Sequence, residues 1–129
     1  MRSRILFISG RHEDARELSQ MLRTAPVTLD HAEDLQQART KLRQDEYDLI
    51  LSAATLPDGN WLDALHLARE CPYSIHVLVT DRHADARFWA EALNMGVYDL
   101  VAQPFYEPEV HRILTRACAR REGRTMAAV

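Results

Sequence analysis

Cysteine is nearly missing from this 129-residue chain: there are two, Cys71 and Cys118. Neither sits in a metal-ligand spacing, so both read as free thiols of a reducing compartment and a disulfide framework is set aside. Glycine (four) and proline (five) are also sparse, and no repeat or low-complexity segment is built from them. Neither sign of charge dominates: 16 Lys and Arg stand against 19 Asp and Glu, a formal net charge of −3. That balance gives the domain as a whole no nucleic-acid-binding character. Long apolar runs are absent too. The run near the N-terminus, Ile5-Leu6-Phe7-Ile8, is far too short for a signal peptide or a membrane span, so a cytoplasmic location with no membrane partner is expected. What is present is 47% hydrophobic and 27% charged residues, ordinary for a soluble domain. A chain of this length buries roughly two thirds of its unfolded surface in one core.

The apolar residues alternate between two periods. Ile5 to Ile8 reads as a strand covered on both faces. A helix is expected from His12 to Thr24, with Ala15, Leu18 and Leu22 on one face and Glu13 and Asp14 near its positive N-terminus. Val27 to His31 is a shorter, more polar strand, expected at an edge. Leu35, Ala38 and Leu42 stripe a second helix over 33–44. Tyr47-Asp48-Leu49-Ile50-Leu51 is the next buried strand. Leu56-Pro57-Asp58-Gly59-Asn60 is a turn by its Pro, Asp and Gly chemistry. Asn60 then caps a helix that reaches Arg69 and carries Leu62, Leu65 and Ala68. Ile75 to Val79 is a fourth strand, and a fourth helix over 84–95 is stopped by Gly96. Tyr98 to Ala102 is a fifth strand, and a fifth helix follows over 109–121, with Pro108 in its first turn.

Five strand–helix units in succession predict an α/β fold, a doubly wound parallel sheet with helices on both faces. In such sheets the functional crevice lies beyond the carboxyl ends of the strands. Here that means the loops after Ile8, Leu51, Val79 and Ala102.

Within this frame three segments resemble the receiver domain of two-component response regulators, over roughly residues 4–121. They are Tyr47 to Leu51 followed by Leu56-Pro57-Asp58-Gly59, then Val77-Leu78-Val79-Thr80, then Gly96 through Gln103-Pro104-Phe105. The resemblance implies a flavodoxin-like, five-stranded parallel sheet of order 2-1-3-4-5. It also implies a domain over 1–121 and, over 122–129, a tail or the start of a linker to an output domain. In the family a carboxylate accepts a phosphoryl group, two further acids hold Mg²⁺, and a hydroxyl and a lysine grip the phosphoryl oxygens. Carried onto this sequence, the acceptor position falls on Ala53, the acid pair on Ser9 and Gly10, the hydroxyl on Thr80 and the lysine on Gln103.

A methyl group cannot attack phosphorus, and neither Ser9 nor Gly10 brings a negative charge to a metal. The expectation is therefore a degenerate (pseudo-receiver) pocket of Ser9, Gly10, Ala53, Thr80 and Gln103, with no catalytic residue, no metal and no cofactor. Once the nucleophile is gone, a leftover acid pair or lysine would be a costly unpaired buried charge. The emptied crevice should be polar and uncharged. Thr80 then reads as a strand-end hydroxyl that bonds nearby backbone. The family's switch-reporting aromatic position falls on Leu100, expected to stay buried.

If Ala86, Ala90, Ala92 and Leu93 face the sheet, Phe88 and Trp89 project at least partly outward, and exposed aromatics of this size mark interfaces. A plainer reading folds one of them over a neighbouring helix. The family often uses its fourth helix, fifth strand and fifth helix for dimers or targets. A protein partner, or a second copy of the chain as a homodimer, is accordingly expected at Phe88, Trp89, Tyr98 and Tyr106. Arg112, Arg116, Arg120, Arg121 and Arg124 read as a solvated basic face, and nucleic acid is expected only through an output domain. The six histidines fit no metal spacing, and His76, in a strand, should be partly buried. The function expected is a phosphorylation-independent regulatory module, not an enzyme, acting by protein–protein interaction in signal transduction or transcription control. Two alternatives stand beside it: a receiver phosphorylated at an unusual acceptor such as Asp58 or Asp14, and a small-ligand sensor in the emptied crevice.

Overall fold

The continuous apolar runs become the middle of a sheet. The computed structural model describes residues 2–128, with side chains through Ala119. Strands β1 (Ser3–Ile8), β2 (Val27–Ala32) and β3 (Leu49–Ala53) precede a two-residue hairpin of β4 (Thr55–Leu56) and β5 (Gly59–Asn60). Strands β6 (His76–Asp81) and β7 (Asp99–Ala102) follow. Helices α1 (His12–Met21), α2 (Leu35–Gln44), α3 (Trp61–Glu70), α4 (Ala86–Asn94) and α5 (Glu107–Ala128) connect and end them. The five long strands are all parallel, in the order β2-β1-β3-β6-β7. This is the expected 2-1-3-4-5 order with the hairpin inserted after the third strand. The polar strand Val27–Ala32 lies at the edge, as its composition implies.

Strand alternation divides the core into two layers. Ile5, Phe7, Leu49, Leu51, Leu78 and Val101 pack with Leu18 of α1 and Leu114 of α5. Leu6, Ile8, Ile50, Val77, Val79 and Leu100 pack with Ala38, Leu65 and Ala92 of α2, α3 and α4. Local chemistry sets the helix starts. Asn60 caps α3 in a reciprocal capping box with Asp63, and the Asp85 carboxylate caps α4 by accepting from the Phe88 N–H. After α4 the chain turns through Gly96 at φ +111°, a conformation that favours glycine. No helix among the described residues is long and apolar enough to cross a membrane.

At the amino end of the sheet a polar cluster ties the first three strands. Arg4 pairs with Asp30 at 2.9 Å and with Asp45 at 3.2 Å, and its guanidinium lies 4.8 Å from the Tyr47 ring centre. The buried Tyr47 hydroxyl donates to Asp30 at 2.7 Å. Burial pushes the Asp30 carboxyl up, but the Tyr47 hydroxyl and Arg4 outweigh it and hold the group below its ordinary value. Burial, and then donation to Asp30, push the Tyr47 phenol up.

Several boundaries differ from expectation by one to three residues, among them the start of α4 at Ala86, the start of α5 at Glu107 and the span of β3. The first helix stops at Met21, three residues early, and α2 starts at Leu35, where Asp34 caps it. The backbone of α5 runs helical to Ala128, past the expected end at Arg121. The expected roles of Arg120, Arg121 and Arg124, and the side chains of the 122–129 tail, lie outside the described residues.

Candidate functional site

Parallel register brings the five expected pocket residues to one end of the sheet. Ile8 lies beside Ser52, Ala53 beside Thr80, and Thr80 beside Val101. Ser9 is buried, and its Oγ accepts from the Arg11 N–H at 3.1 Å. Its carbonyl pairs with His31 Nε2 at 2.7 Å. Gly10 lies under Pro57: a Cβ there would meet the proline ring at 3.0 Å, so a larger residue would be crowded. Ala53 ends β3, half-buried. Ser52 is fully buried, and its hydroxyl donates to the Ala53 carbonyl. Thr80 is buried and donates to the Val101 carbonyl at 2.7 Å, bonding the backbone of the next strand. Leu100 is buried in the layer shared with α2, α3 and α4.

The crevice is not uncharged, and this corrects the sequence-based expectation. Asp14, placed by sequence near an exposed helix start, is only 4% exposed. Its Oδ1 meets Arg82 Nη2 at 3.1 Å, and its Oδ2 accepts from Gln103 Nε2 at 3.2 Å, with Arg11 Nε 3.6 Å away. A buried carboxylate needs such partners. Gln103, where the resemblance implies a lysine, is thus a neutral amide that donates to the Asp14 carboxylate. The signal was in the sequence: Asp14, Leu18 and Leu22 are spaced i, i+4, i+8, which puts the acid at the edge of the apolar stripe. Arg82, in the loop after β6, carried no local signal at all. The ligand-sensor alternative assumed polar atoms without charge, and that premise does not hold.

Asp58 takes no part in the crevice. Its two carboxylate oxygens accept from the Leu35 and Gln36 N–H groups at 2.9 and 3.2 Å, capping α2 from a different segment. A sequence reading limited to neighbours sees only a turn former there.

The fourth helix sits in a different phase from the one expected. Of Ala86, Ala90, Ala92 and Leu93, Ala92 alone is buried, and Leu93 is 46% exposed. Phe88 and Trp89 are half-buried against the core, and the Phe88 ring stands edge-on to Trp61 of α3 at 5.8 Å. Two rings remove more apolar area from water than alanine methyls do, so the aromatic face turns inward. Tyr98 is also half-buried, its ring 4.3 Å from that of the half-buried His76. Of the four expected contact aromatics, Tyr106 is the widely exposed one, at 65%.

Comparison with known proteins agrees with this architecture. The family described as response regulator receiver domain matches residues 5–115. Transcriptional regulatory protein DpiA of Escherichia coli K12 is 32% identical over 85 residues, which are 66% of this chain and 38% of that protein. Swarming motility regulation protein RssB of Serratia marcescens is 27% identical over 106 residues, 82% of this chain and 48% of that protein. The chain therefore spans less than half the length of these curated relatives. Among solved structures, the signal receiver domain of an HD domain-containing protein from Pseudomonas fluorescens superposes with a TM-score of 0.86 at 28% identity. That match covers 97% of this chain and 93% of the other. The beryllofluoride-activated NtrC4 receiver domain dimer gives 0.83 at 20% identity, covering 92% and 98%, a likeness of fold. Five parallel strands in this order, with the family matched over most of the length, lead to one conclusion: the chain belongs to the response regulator receiver domain family, a module of two-component signalling.

Proposed function

We propose that this receiver domain regulates by protein contact and accepts no phosphoryl group at the end of β3. One observation carries the reading. Where the family pattern asks for an oxygen nucleophile and two metal-binding acids, the chain offers the Ala53 methyl, an internally bonded Ser9 hydroxyl and a glycine under Pro57. That donor set does not fit Mg²⁺, which is normally held through one or two carboxylates in near-octahedral oxygen coordination. The nearby carboxylate of Asp14 already has both oxygens engaged, by Arg82 and Gln103. The Asp58 oxygens are engaged by α2.

Incubation with acetyl phosphate and Mg²⁺, followed by intact-mass measurement, should add no phosphoryl mass. A stable addition that disappears in Asp58→Asn or Asp14→Asn would identify an unusual acceptor and overturn the proposal.

The chain is best read as the receiver portion of a longer cytoplasmic regulator, since its curated relatives are regulatory proteins more than twice the matched length. Its partner is another protein, its own output domain or a second copy, with nucleic acid reached only through an output domain. The contact face is proposed on the side of α4, β7 and α5. Leu93 and Met95 supply exposed apolar area there and Tyr106 an exposed ring, in place of the half-buried Phe88, Trp89 and Tyr98. Sedimentation of a Leu93→Ser, Met95→Ser variant checks this: self-association should weaken while the thermal melt stays in place.

A further inference from the structure

Asp14 is the one charged side chain that is buried among the described residues. Burying a carboxylate is costly unless it is paired and hydrogen-bonded, so its partners indicate what the burial achieves. They come from distant parts of the chain. Arg82 opens the loop between β6 and α4, and Gln103 opens the loop between β7 and α5. Both reach back to the first turn of α1, across 68 and 89 residues of sequence. Arg82 also stands three residues ahead of Asp85, the cap of α4. In that helix Ala92 is the one buried residue, and Phe88 and Trp89 are half-buried against the core.

We propose that Asp14 is a positioning residue, an internal latch. Its ion pair with Arg82 and its hydrogen bond from Gln103 hold both loops, and through Arg82 the start of α4, in one position without any ligand. This rests on the proposed function in one respect. With no phosphoryl group to gather the loops, a built-in carboxylate supplies the negative charge that does so. The surface around α4 is then presented constitutively.

NMR hydrogen exchange and ¹⁵N relaxation on the whole chain test the latch, comparing the wild type with Arg82→Ala and Asp14→Asn. The Phe88 and Trp89 amides, which open the hydrogen-bonding of α4, should exchange roughly tenfold faster or more in both variants. Mobility of 82–85 should rise in both variants and that of 103–106 in Asp14→Asn, while amides of β1 and β3 keep their protection. The double variant should exchange no faster than the singles, since the two side chains act as one pair. If Arg82→Ala does not fold, Arg82→Lys, which keeps the charge but loses the planar fork, is read beside Asp14→Asn.

An equal rise over sheet and loops, tracking a fall in melting temperature, would reduce the pair to ordinary global stabilisation and overturn the latch. Unchanged exchange at Phe88 and Trp89 would overturn it as well. Phosphoryl uptake is read separately by mass. Uptake with accelerated local exchange in the variants sinks the proposed function and keeps the latch, whereas no uptake with unchanged exchange sinks the latch alone.

Discussion

The two ends of the sheet each carry a polar cluster, built to different plans. At the amino end, Arg4, Asp30, Asp45 and Tyr47 join the starts of β1 and β3 to the edge strand β2. Those strands already pair through backbone ladders, so the cluster reinforces contacts that the sheet makes anyway. Its charges are partly open to water, and only the Tyr47 ring is deeply buried. At the carboxyl end, Asp14 joins α1 to two loops that leave the sheet at the last paired residues of β6 and β7, Asp81 and Ala102, and no backbone ladder ties those loops to α1. There the acid is buried and its arginine partner half-exposed. An ion pair's role follows from what would hold its partners together without it. Among paired strands it adds to global stability, and between loops it determines local position.

The largest expected effect sharpens that contrast at the amino end. Tyr47→Ala removes a fully buried ring and should cost about 3–5 kcal/mol in urea denaturation. Protection should fall across the whole sheet. Loosening confined to the ends of β1 and β2 would show that the amino-end cluster is also a local device.

Acidification should act next, and again through the amino end. The Asp30 carboxyl lies below its ordinary value of 3.8 in the folded chain, so its stabilisation is complete above that pH. It is lost as the pH falls through the lower folded value. The urea midpoint of the wild type should therefore drop more steeply below pH 3.8 than that of Asp30→Asn, which starts lower but lacks this titration. Parallel acid profiles in the two proteins would show that Asp30 contributes nothing through its charge.

The smallest effect belongs to the rim. Asp45 is 48% exposed where it meets Arg4. Asp45→Asn should shift stability by less than about 0.5 kcal/mol, as expected for a solvent-screened pair. A loss comparable to that of Tyr47→Ala would mean that the cluster works as one buried unit.

Much of this protein was legible from residue order. Continuous apolar runs, helical stripes and punctuation at Asn60 and Gly96 determine the five strand–helix units, and right-handed crossovers then leave few sheet orders open. The crevice positions were assigned through the resemblance to the receiver family, which the segments Asp48 to Gly59 and Gln103 to Phe105 carry and which points to Ala53 and Gln103. These are local properties: a strand's two covered faces or a cap's hydrogen bond depends on residues within a few positions.

Tertiary structure alone decided the rest. The phase of α4 was open, because apolar residues at 86, 88, 89, 90, 92 and 93 offer two candidate faces. The presence of Trp61 on α3 settled it in favour of the rings. Asp58 is a turn residue in one dimension and a helix cap in three, once α2 lies beside it. Asp14 became a buried, paired charge only when folding brought Arg82 and Gln103 to it across most of the chain. Burial and pairing are relations between distant segments, whereas periodicity and spacing can be read along a single one.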